Sequence, residues 1–119
     1  MLNNTKLNMK ATETQLKGCF ILEPQLFGDS RGYFFESFNE RTFQELTQTD
    51  THFVQDNQSF STKGVLRGLH AQAADFAQAK LVRVLSGAVL DVAVDARPAS
   101  PTFGQHVAVT LSAENNVQL

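Results

Sequence analysis

Short apolar segments separated by turn residues repeat along this chain, and they limit its possible folds more than any other feature. Glycine, proline, asparagine or aspartate stands between most of them, at a spacing of roughly 8–12 residues. This spacing is typical of an all-β sandwich or barrel. The strand-like segments are residues 19–26, 33–38, 65–70, 80–85, 89–95 and 106–111.

One short helix is predicted within this strand-rich pattern, over residues 40–47. Asn39 can cap its beginning, because an asparagine side-chain oxygen can accept a hydrogen bond from a backbone amide of the first turn. Phe43 and Leu46 follow three residues apart, which places both on one face of the helix. The expected class is therefore all-β with a single small helix.

The length of 119 residues suits one domain. Residues 1–14 are mostly polar and are expected to form a flexible arm, so that residues 15–119 make up the domain. Within it, residues 80–85 and 89–95 flank a Ser-Gly pair and are predicted to form a hairpin.

Composition excludes several classes of function. The net charge of −2 gives no electrostatic reason to expect nucleic acid or an anionic membrane as a partner. Cys19 is the only cysteine, so neither an internal disulfide nor a thiolate metal site is expected. We expect no cofactor and no metal. The sequence has no apolar run long enough to span a bilayer, and the cytoplasm is the expected compartment.

The stretch Gly-Val-Leu-Arg-Gly-Leu-His-Ala-Gln at residues 64–72 brings a cation, Arg67, close to a titratable base, His70. A guanidinium suits an anionic substrate, and an imidazole can move a proton near neutral pH. The alternative is a strand with one surface arginine and one hydrogen-bonded histidine. The two residues face opposite sides of an ideal strand, so a shared site requires a bulge at Gly68.

Other polar residues also allow two interpretations. Gln55 and Asn57 share one face of a weakly alternating segment, which predicts either a hydrogen-bonding surface or a solvent-facing strand side. Asp91 and Asp95 would lie about 13 Å apart in a strand, too far to act as a catalytic pair. His52 and His106 are interpreted as surface residues without a role.

Six motifs occur in order along the chain, at residues 27–36, 54–59, 64–70, 78–84, 91–95 and 100–104. Together they resemble the dTDP-4-dehydrorhamnose 3,5-epimerase family. The resemblance implies a cupin-type jelly roll, or double-stranded β-helix. Family members continue well beyond residue 119, so the jelly roll is expected to be incomplete at its C-terminal end.

The resemblance implies a metal-independent isomerase acting on a dTDP-linked 4-keto-6-deoxyhexose in deoxysugar (rhamnose-type) biosynthesis. Both inverted carbons, C3 and C5, flank the ketone, so their protons are acidified by enolate formation. His70 matches the catalytic base of the family. Lys80 matches a lysine near the sugar ring that could stabilise charge on the ketone oxygen, although a lysine at a strand end is more often simply solvated.

The resemblance also implies binding residues for the sugar nucleotide. Arg31 and Arg67 match positions that contact the diphosphate or sugar, where guanidinium groups suit phosphate oxygens. The matching nucleotide-binding positions are Glu36, Gln55 and Asn57. Arg31 and Glu36 could serve the site of a neighbouring subunit, since dimers of the family exchange N-terminal strands, and a homodimer or strand-exchanged oligomer is expected.

The acid that returns the proton is not matched. The family carries a catalytic tyrosine and a histidine-orienting aspartate in its further part, and Tyr33, the only tyrosine here, lies in the N-terminal aromatic motif. A catalytically inactive sugar-nucleotide-binding cupin is therefore an alternative. A small cupin with a metal site is disfavoured, because Ala71 and Gln72 rather than a second histidine follow His70.

Overall fold

Six strands and one α-helix form the main regular structure of residues 8–119, the range described by the structure, which is a computed structural model. Each strand has one antiparallel partner, in the pairs β1–β2, β3–β4 and β5–β6. The strand-rich class with one short helix agrees with the sequence prediction. The elements are β1 (Met9–Glu13), β2 (Phe20–Pro24), β3 (Phe27–Asp29), β4 (Gly32–Phe34), α1 (Glu40–Thr47), a 3-10 helix (Ala74–Phe76), β5 (Ala88–Val94) and β6 (His106–Ser112).

The first strand corrects part of the expected arm. Residues 9–13 are not loose chain but strand β1, whose Met9 is buried and lies opposite Pro24 of β2. Their sequence is too polar to indicate a strand alone, and the apolar strand β2 supplies the pairing partner that stabilises it. Residues 1–7 of the predicted arm lie outside the described residues.

The chain end joins two distant segments through backbone hydrogen bonds. Leu22 of β2 exchanges both of its backbone hydrogen bonds with Gln118, each at 2.9 Å. Val82 does the same with Leu119, at 2.8 and 3.1 Å. Residues 118–119 therefore lie between β2 and residue 82.

The predicted hairpin of residues 80–85 with 89–95 is wrong. Strand β5 pairs along its whole length with β6, from Ala88 opposite Ser112 to Val94 opposite His106. Residues 65–70 and 80–85 are not strands in the structure, although their sequences are strand-like. A β-rich sequence becomes a strand only where its backbone groups find a partner, and this partner is chosen by distant residues.

Strand β6 follows its predicted alternation. Val107, Val109 and Leu111 are the more buried residues, and Leu111 is fully buried, whereas the residues between them are exposed. This alternation gives the β5–β6 pair one inward face.

Helix α1 also forms where the sequence predicts it. The Asn39 side-chain oxygen accepts a hydrogen bond from the Thr42 backbone amide at 3.0 Å, and the helix ends before Gln48, which has a left-handed φ of 55°. Phe43 on this helix packs edge-on against Phe53 at a ring-centroid distance of 5.2 Å, and Phe38 packs against Phe53 at 5.5 Å. These rings attach the following segment to the helix.

A buried carboxylate organises the loop between β5 and β6. The Asp95 side chain accepts hydrogen bonds from Arg97 Nε (2.9 Å), Ser100 Oγ (2.5 Å) and Thr102 Oγ1 (2.6 Å). These donors, the Arg97 guanidinium first, lower the pKa of Asp95 far below its usual value. The Asp91–Asp95 pair is therefore not a site, and Asp95 serves the loop.

Much apolar surface is left uncovered in this arrangement. Buried apolar side chains include Met9, Leu16, Leu22 and Leu111, whereas Val54 and Leu66 are 93% and 91% exposed. None of the helices within residues 8–119 is long and apolar enough to cross a membrane.

Candidate active site

The tip of the β3–β4 hairpin holds Arg31. The Asp29 carboxylate accepts hydrogen bonds from the Arg31 backbone amide at 2.8 Å and from its Nη2 at 2.6 Å. The hydrogen bonds between the two residues lower the pKa of the Asp29 carboxyl and raise the pKa of the Arg31 guanidinium. Both groups are exposed, so the pair fixes the direction of the guanidinium more than it stabilises the fold.

A shallow groove on this hairpin combines a cation with aromatic rings. Tyr33 and Phe34 are 59% and 72% exposed, although both have large apolar surfaces. A guanidinium can bind phosphate oxygens, and exposed ring faces can stack on a flat base. The groove is lined by Phe27, Asp29, Arg31, Gly32, Tyr33 and Phe34.

Glu36 lies in the irregular segment between β4 and α1 and is half-buried. The carbonyl oxygen of the next residue, Ser37, accepts a hydrogen bond from the Gln118 side-chain Nε2 at 2.8 Å. The segment that carries Glu36 is thus tied to Gln118 near the chain end, which is bridged to Leu22 of β2.

Gln55 and Asn57, whose shared face was predicted with two alternatives, contact each other in a segment that is not a strand. The Gln55 Nε2 donates a hydrogen bond to the Asn57 Oδ1 at 3.1 Å, and both side chains are exposed. The pair still presents the Gln55 oxygen as an acceptor and the Asn57 amide nitrogen as a donor, so it can bind a polar ligand.

Arg67 is oriented by residues that precede it. Its Nε donates to the Ser61 hydroxyl at 2.9 Å, and its Nη2 donates to the Phe60 carbonyl oxygen at 3.2 Å. Two contacts hold one edge of the guanidinium, and the exposed remainder is available to an anion.

His70 and Lys80 are both exposed. Gly68 has a φ of 102°, a left-handed conformation that glycine tolerates, and a Cβ there would lie 3.2 Å from His70 Nδ1. The segment is not a strand, so the predicted strand bulge at Gly68 is absent. Within residues 8–119, neither side chain forms a hydrogen bond or ion pair with another predicted site residue.

The structure also adds residues that sequence reasoning missed. Asp29 and Ser61 orient the two arginines, and Gln118 holds the Glu36 segment. The Asp29–Arg31 contact could have been predicted from the local sequence. In a turn, an aspartate side chain often accepts a hydrogen bond from the backbone amide two residues later. The other two contacts have no such signal.

The two histidines without a role are exposed. The Nδ1 of His52 lies 2.7 Å from Glu40 Oε1 at the beginning of α1, and the His106 carbonyl oxygen accepts a hydrogen bond from Gln15. In the described part of the chain, no group of three or more histidine, cysteine, aspartate or glutamate side chains could hold a metal ion.

Comparison with known proteins decides the family. The model of the dTDP-4-dehydrorhamnose 3,5-epimerase family matches residues 13–119, nearly the whole chain. The chain belongs to this family. It is 56% identical over 111 residues to the dTDP-4-dehydrorhamnose 3,5-epimerase of Shigella flexneri and 58% identical to that of Salmonella typhimurium. These matches cover 93% of this chain and 61% of each relative, so the chain spans about three fifths of their length.

Solved structures of similar proteins confirm the predicted fold. The epimerase of Elizabethkingia anophelis is 57% identical and superposes with a TM-score of 0.87 over 93% of this chain and 61% of its own. A dTDP-6-deoxy-D-glucose-3,5-epimerase from Legionella pneumophila, in complex with dTDP-4-keto-L-rhamnose, is 54% identical with a TM-score of 0.87, covering 92% of this chain and 58% of its own. The fold is therefore that of the family's cupin jelly roll, over the shared part.

Proposed function

We propose that this chain acts in the epimerisation of a dTDP-linked 4-keto-6-deoxyhexose at C3, C5 or both, in deoxysugar (rhamnose-type) biosynthesis. The family match over residues 13–119 carries the proposal, because it includes all seven residues predicted for the site. The bound sugar nucleotide in the Legionella pneumophila relative belongs to the same class of compound.

The proposed chemistry is a proton transfer with no net oxidation. His70 removes the proton from the carbon next to the ketone, and the electron pair of the broken C–H bond moves to the ketone oxygen as an enolate. A proton donor on the opposite face, which is not among the seven residues predicted for the site, then returns a proton as the enolate electron pair goes back to the carbon, and the carbon is inverted. An imidazole suits the first step, because its pKa in ordinary surroundings lies close to neutral pH.

Lys80 is proposed to stabilise the enolate oxygen. An ammonium group aimed at developing negative charge lowers the energy of the transition state more than that of the neutral ketone. Its exposed side chain leaves it able to approach a bound sugar.

The proposed nucleotide contacts use charge and hydrogen bonding. Arg31 and Arg67 are both held by neighbours at one edge, which reduces the entropy lost when they bind phosphate oxygens. The Gln55–Asn57 pair and the Glu36 carboxylate supply polar groups for the nucleoside or sugar hydroxyls.

A homodimer or strand-exchanged oligomer is proposed as the working form. The exposed aromatic side chains on the β3–β4 hairpin support it, because apolar surface of this kind marks protein–protein contact sites. Light scattering coupled to size-exclusion chromatography tests this proposal, and a single monomeric species would contradict it. The cytoplasm remains a prediction.

The function is tested by binding and turnover together. Titration calorimetry with dTDP should show binding that Arg67→Ala weakens about tenfold or more, the effect of losing a charge-assisted hydrogen bond. Arg41→Ala is the matched control, because Arg41 forms an ion pair with Glu45 on the helix surface and is not a predicted site residue. The chain should then convert dTDP-4-keto-6-deoxyglucose to an epimer, and His70→Ala should not.

The outcomes separate the two functions considered. Conversion that depends on His70 supports the epimerase. Binding that depends on Arg67 without conversion would make the chain a sugar-nucleotide-binding module instead. Absence of both would overturn the proposal.

A further inference from the structure

A buried glutamine near the chain end joins two separate parts of the molecule. Gln118 is fully buried, and its backbone exchanges both hydrogen bonds with Leu22 of β2. Its side chain extends further, and Nε2 donates to the Ser37 carbonyl oxygen, 81 residues earlier in the chain. The backbone contact anchors Gln118, and the side chain then holds Ser37.

The orientation of this side-chain amide is fixed by chemistry. The Ser37 carbonyl oxygen can only accept, so the NH₂ end of the Gln118 amide must face it. The Oε1 end then points elsewhere, and no donor within residues 8–119 reaches it. A buried acceptor without a donor is unfavourable. The hydrogen bond to Ser37 is thus the contact that distinguishes glutamine from an apolar side chain of similar length.

Ser37 is placed to transmit this restraint to the proposed site. It follows Glu36 directly and precedes Phe38, whose ring packs against Phe53 at 5.5 Å. Phe53 in turn stands two residues before Gln55. Fixing the carbonyl oxygen of Ser37 therefore restrains Glu36 on one side and the aromatic support of Gln55 on the other.

The Glu36 segment has few other backbone restraints. It lies between the end of β4 at Phe34 and the beginning of α1 at Glu40. Within the described chain, no backbone–backbone hydrogen bond involves residues 35–38. The single contact from Gln118 consequently has a large influence on where the Glu36 carboxylate lies.

We infer that Gln118 is a positioning residue that holds Glu36 in its binding geometry through the hydrogen bond to the Ser37 carbonyl oxygen. The contribution of Glu36 to nucleotide binding rests on the proposed function. The restraint on residues 36–38 is a property of the chain itself and can be measured without ligand.

The first measurement needs no variant. In the unaltered chain, ¹⁵N relaxation should give residues 36–38 backbone order parameters near the rigid value of about 0.85, although they form no backbone–backbone hydrogen bond within residues 8–119. Values below about 0.6 would overturn the inference at once, because no positioning would then take place.

The second measurement compares Gln118→Met with Thr47→Val. Methionine keeps the length of the side chain and removes both the donor and the unpartnered oxygen. Thr47 is a buried polar residue whose hydroxyl donates within α1, so its variant controls for loss of any buried hydrogen bond. Gln118→Met should lower the order parameters of residues 36–38 toward about 0.6, with little change of melting temperature, and Thr47→Val should not lower them.

The third measurement is a double-mutant cycle on dTDP affinity. Gln118→Met and Glu36→Gln should each weaken binding about fivefold to tenfold, and the double variant should be no weaker than Glu36→Gln alone. Losses that multiply would overturn positioning through Glu36, and so would unchanged order parameters in a folded Gln118→Met chain. If the unaltered chain binds no dTDP, the proposed function fails, and the order parameters alone decide the restraint.

Discussion

The strongest prediction about the fold concerns two leucines that differ in burial. Leu22 in β2 is 1% exposed, between Ala11 of β1 and Gln118, whereas Leu66 is 91% exposed. Replacing Leu22 by alanine removes buried methyl groups and leaves a cavity, which together cost about 2–5 kcal/mol of unfolding free energy. The same change at Leu66 removes atoms that already contact water and should cost less than about 0.5 kcal/mol.

The magnitude is large compared with the total stability. A domain of this size has an unfolding free energy of about 5–15 kcal/mol, so Leu22→Ala should remove a substantial fraction of it. Urea unfolding followed by far-ultraviolet circular dichroism is the suitable assay, because the chain has no tryptophan and one tyrosine. The urea concentration at the transition midpoint should be lower for Leu22→Ala than for the unaltered chain, with the same slope. For Leu66→Ala the midpoint should be unchanged. Equal midpoints for both variants would refute the assignment of the core.

Further predictions test local features. Asn39→Ala should lower the unfolding free energy by about 1 kcal/mol, since it removes the N-cap of α1, and urea unfolding measures this loss. Hydrogen bonds lower the pKa of Asp95, so its stabilisation is complete above the ordinary carboxyl pKa of 3.8 and is lost as the pH falls below that value. The melting temperature should therefore decrease when the pH is lowered below about 4. Asp95→Asn should have a lower melting temperature than the unaltered chain at pH 7, and its melting temperature should change less with acid. Arg31→Lys should leave the melting temperature nearly unchanged while calorimetry shows weaker dTDP binding, because lysine lacks the bidentate guanidinium.

Features that depend on neighbouring residues were predictable from the sequence. Helix α1 has its cap, its apolar pair and its end within ten residues, so each signal is local. Strand β6 alternates from His106 to Leu111 because one of its faces packs inward.

Features that depend on distant partners were not predictable in the same way. Residues 80–85 resemble the first strand of a hairpin, yet β5 pairs with β6, and Val82 pairs with Leu119. A polar strand such as β1 forms only because β2 is beside it. Strand pairing is a choice among segments with similar local preferences, and a single sequence does not contain the energies that decide it.

The candidate site shows the same difference between local features and features that depend on distant residues. The residue types and their motifs could be identified in the sequence, and the spacing of Gln55 and Asn57 placed them on one side of their segment. The contacts that orient the site residues could not be predicted from the sequence. Arg67 is held by Ser61, six residues away, and Ser37 is held by Gln118, 81 residues away. Such contacts follow from the chain path, which the motif does not describe.

The most direct test of the proposed function is solvent exchange at the reacting carbons. Proton NMR of dTDP-4-keto-6-deoxyglucose in heavy water follows the C3 and C5 proton signals in the presence of the chain. The account predicts that these signals disappear with the unaltered chain and with His106→Ala, whose exposed histidine has no assigned role, but persist with His70→Ala. Persistence with the unaltered chain, or equal loss with His70→Ala, would contradict His70 as the base.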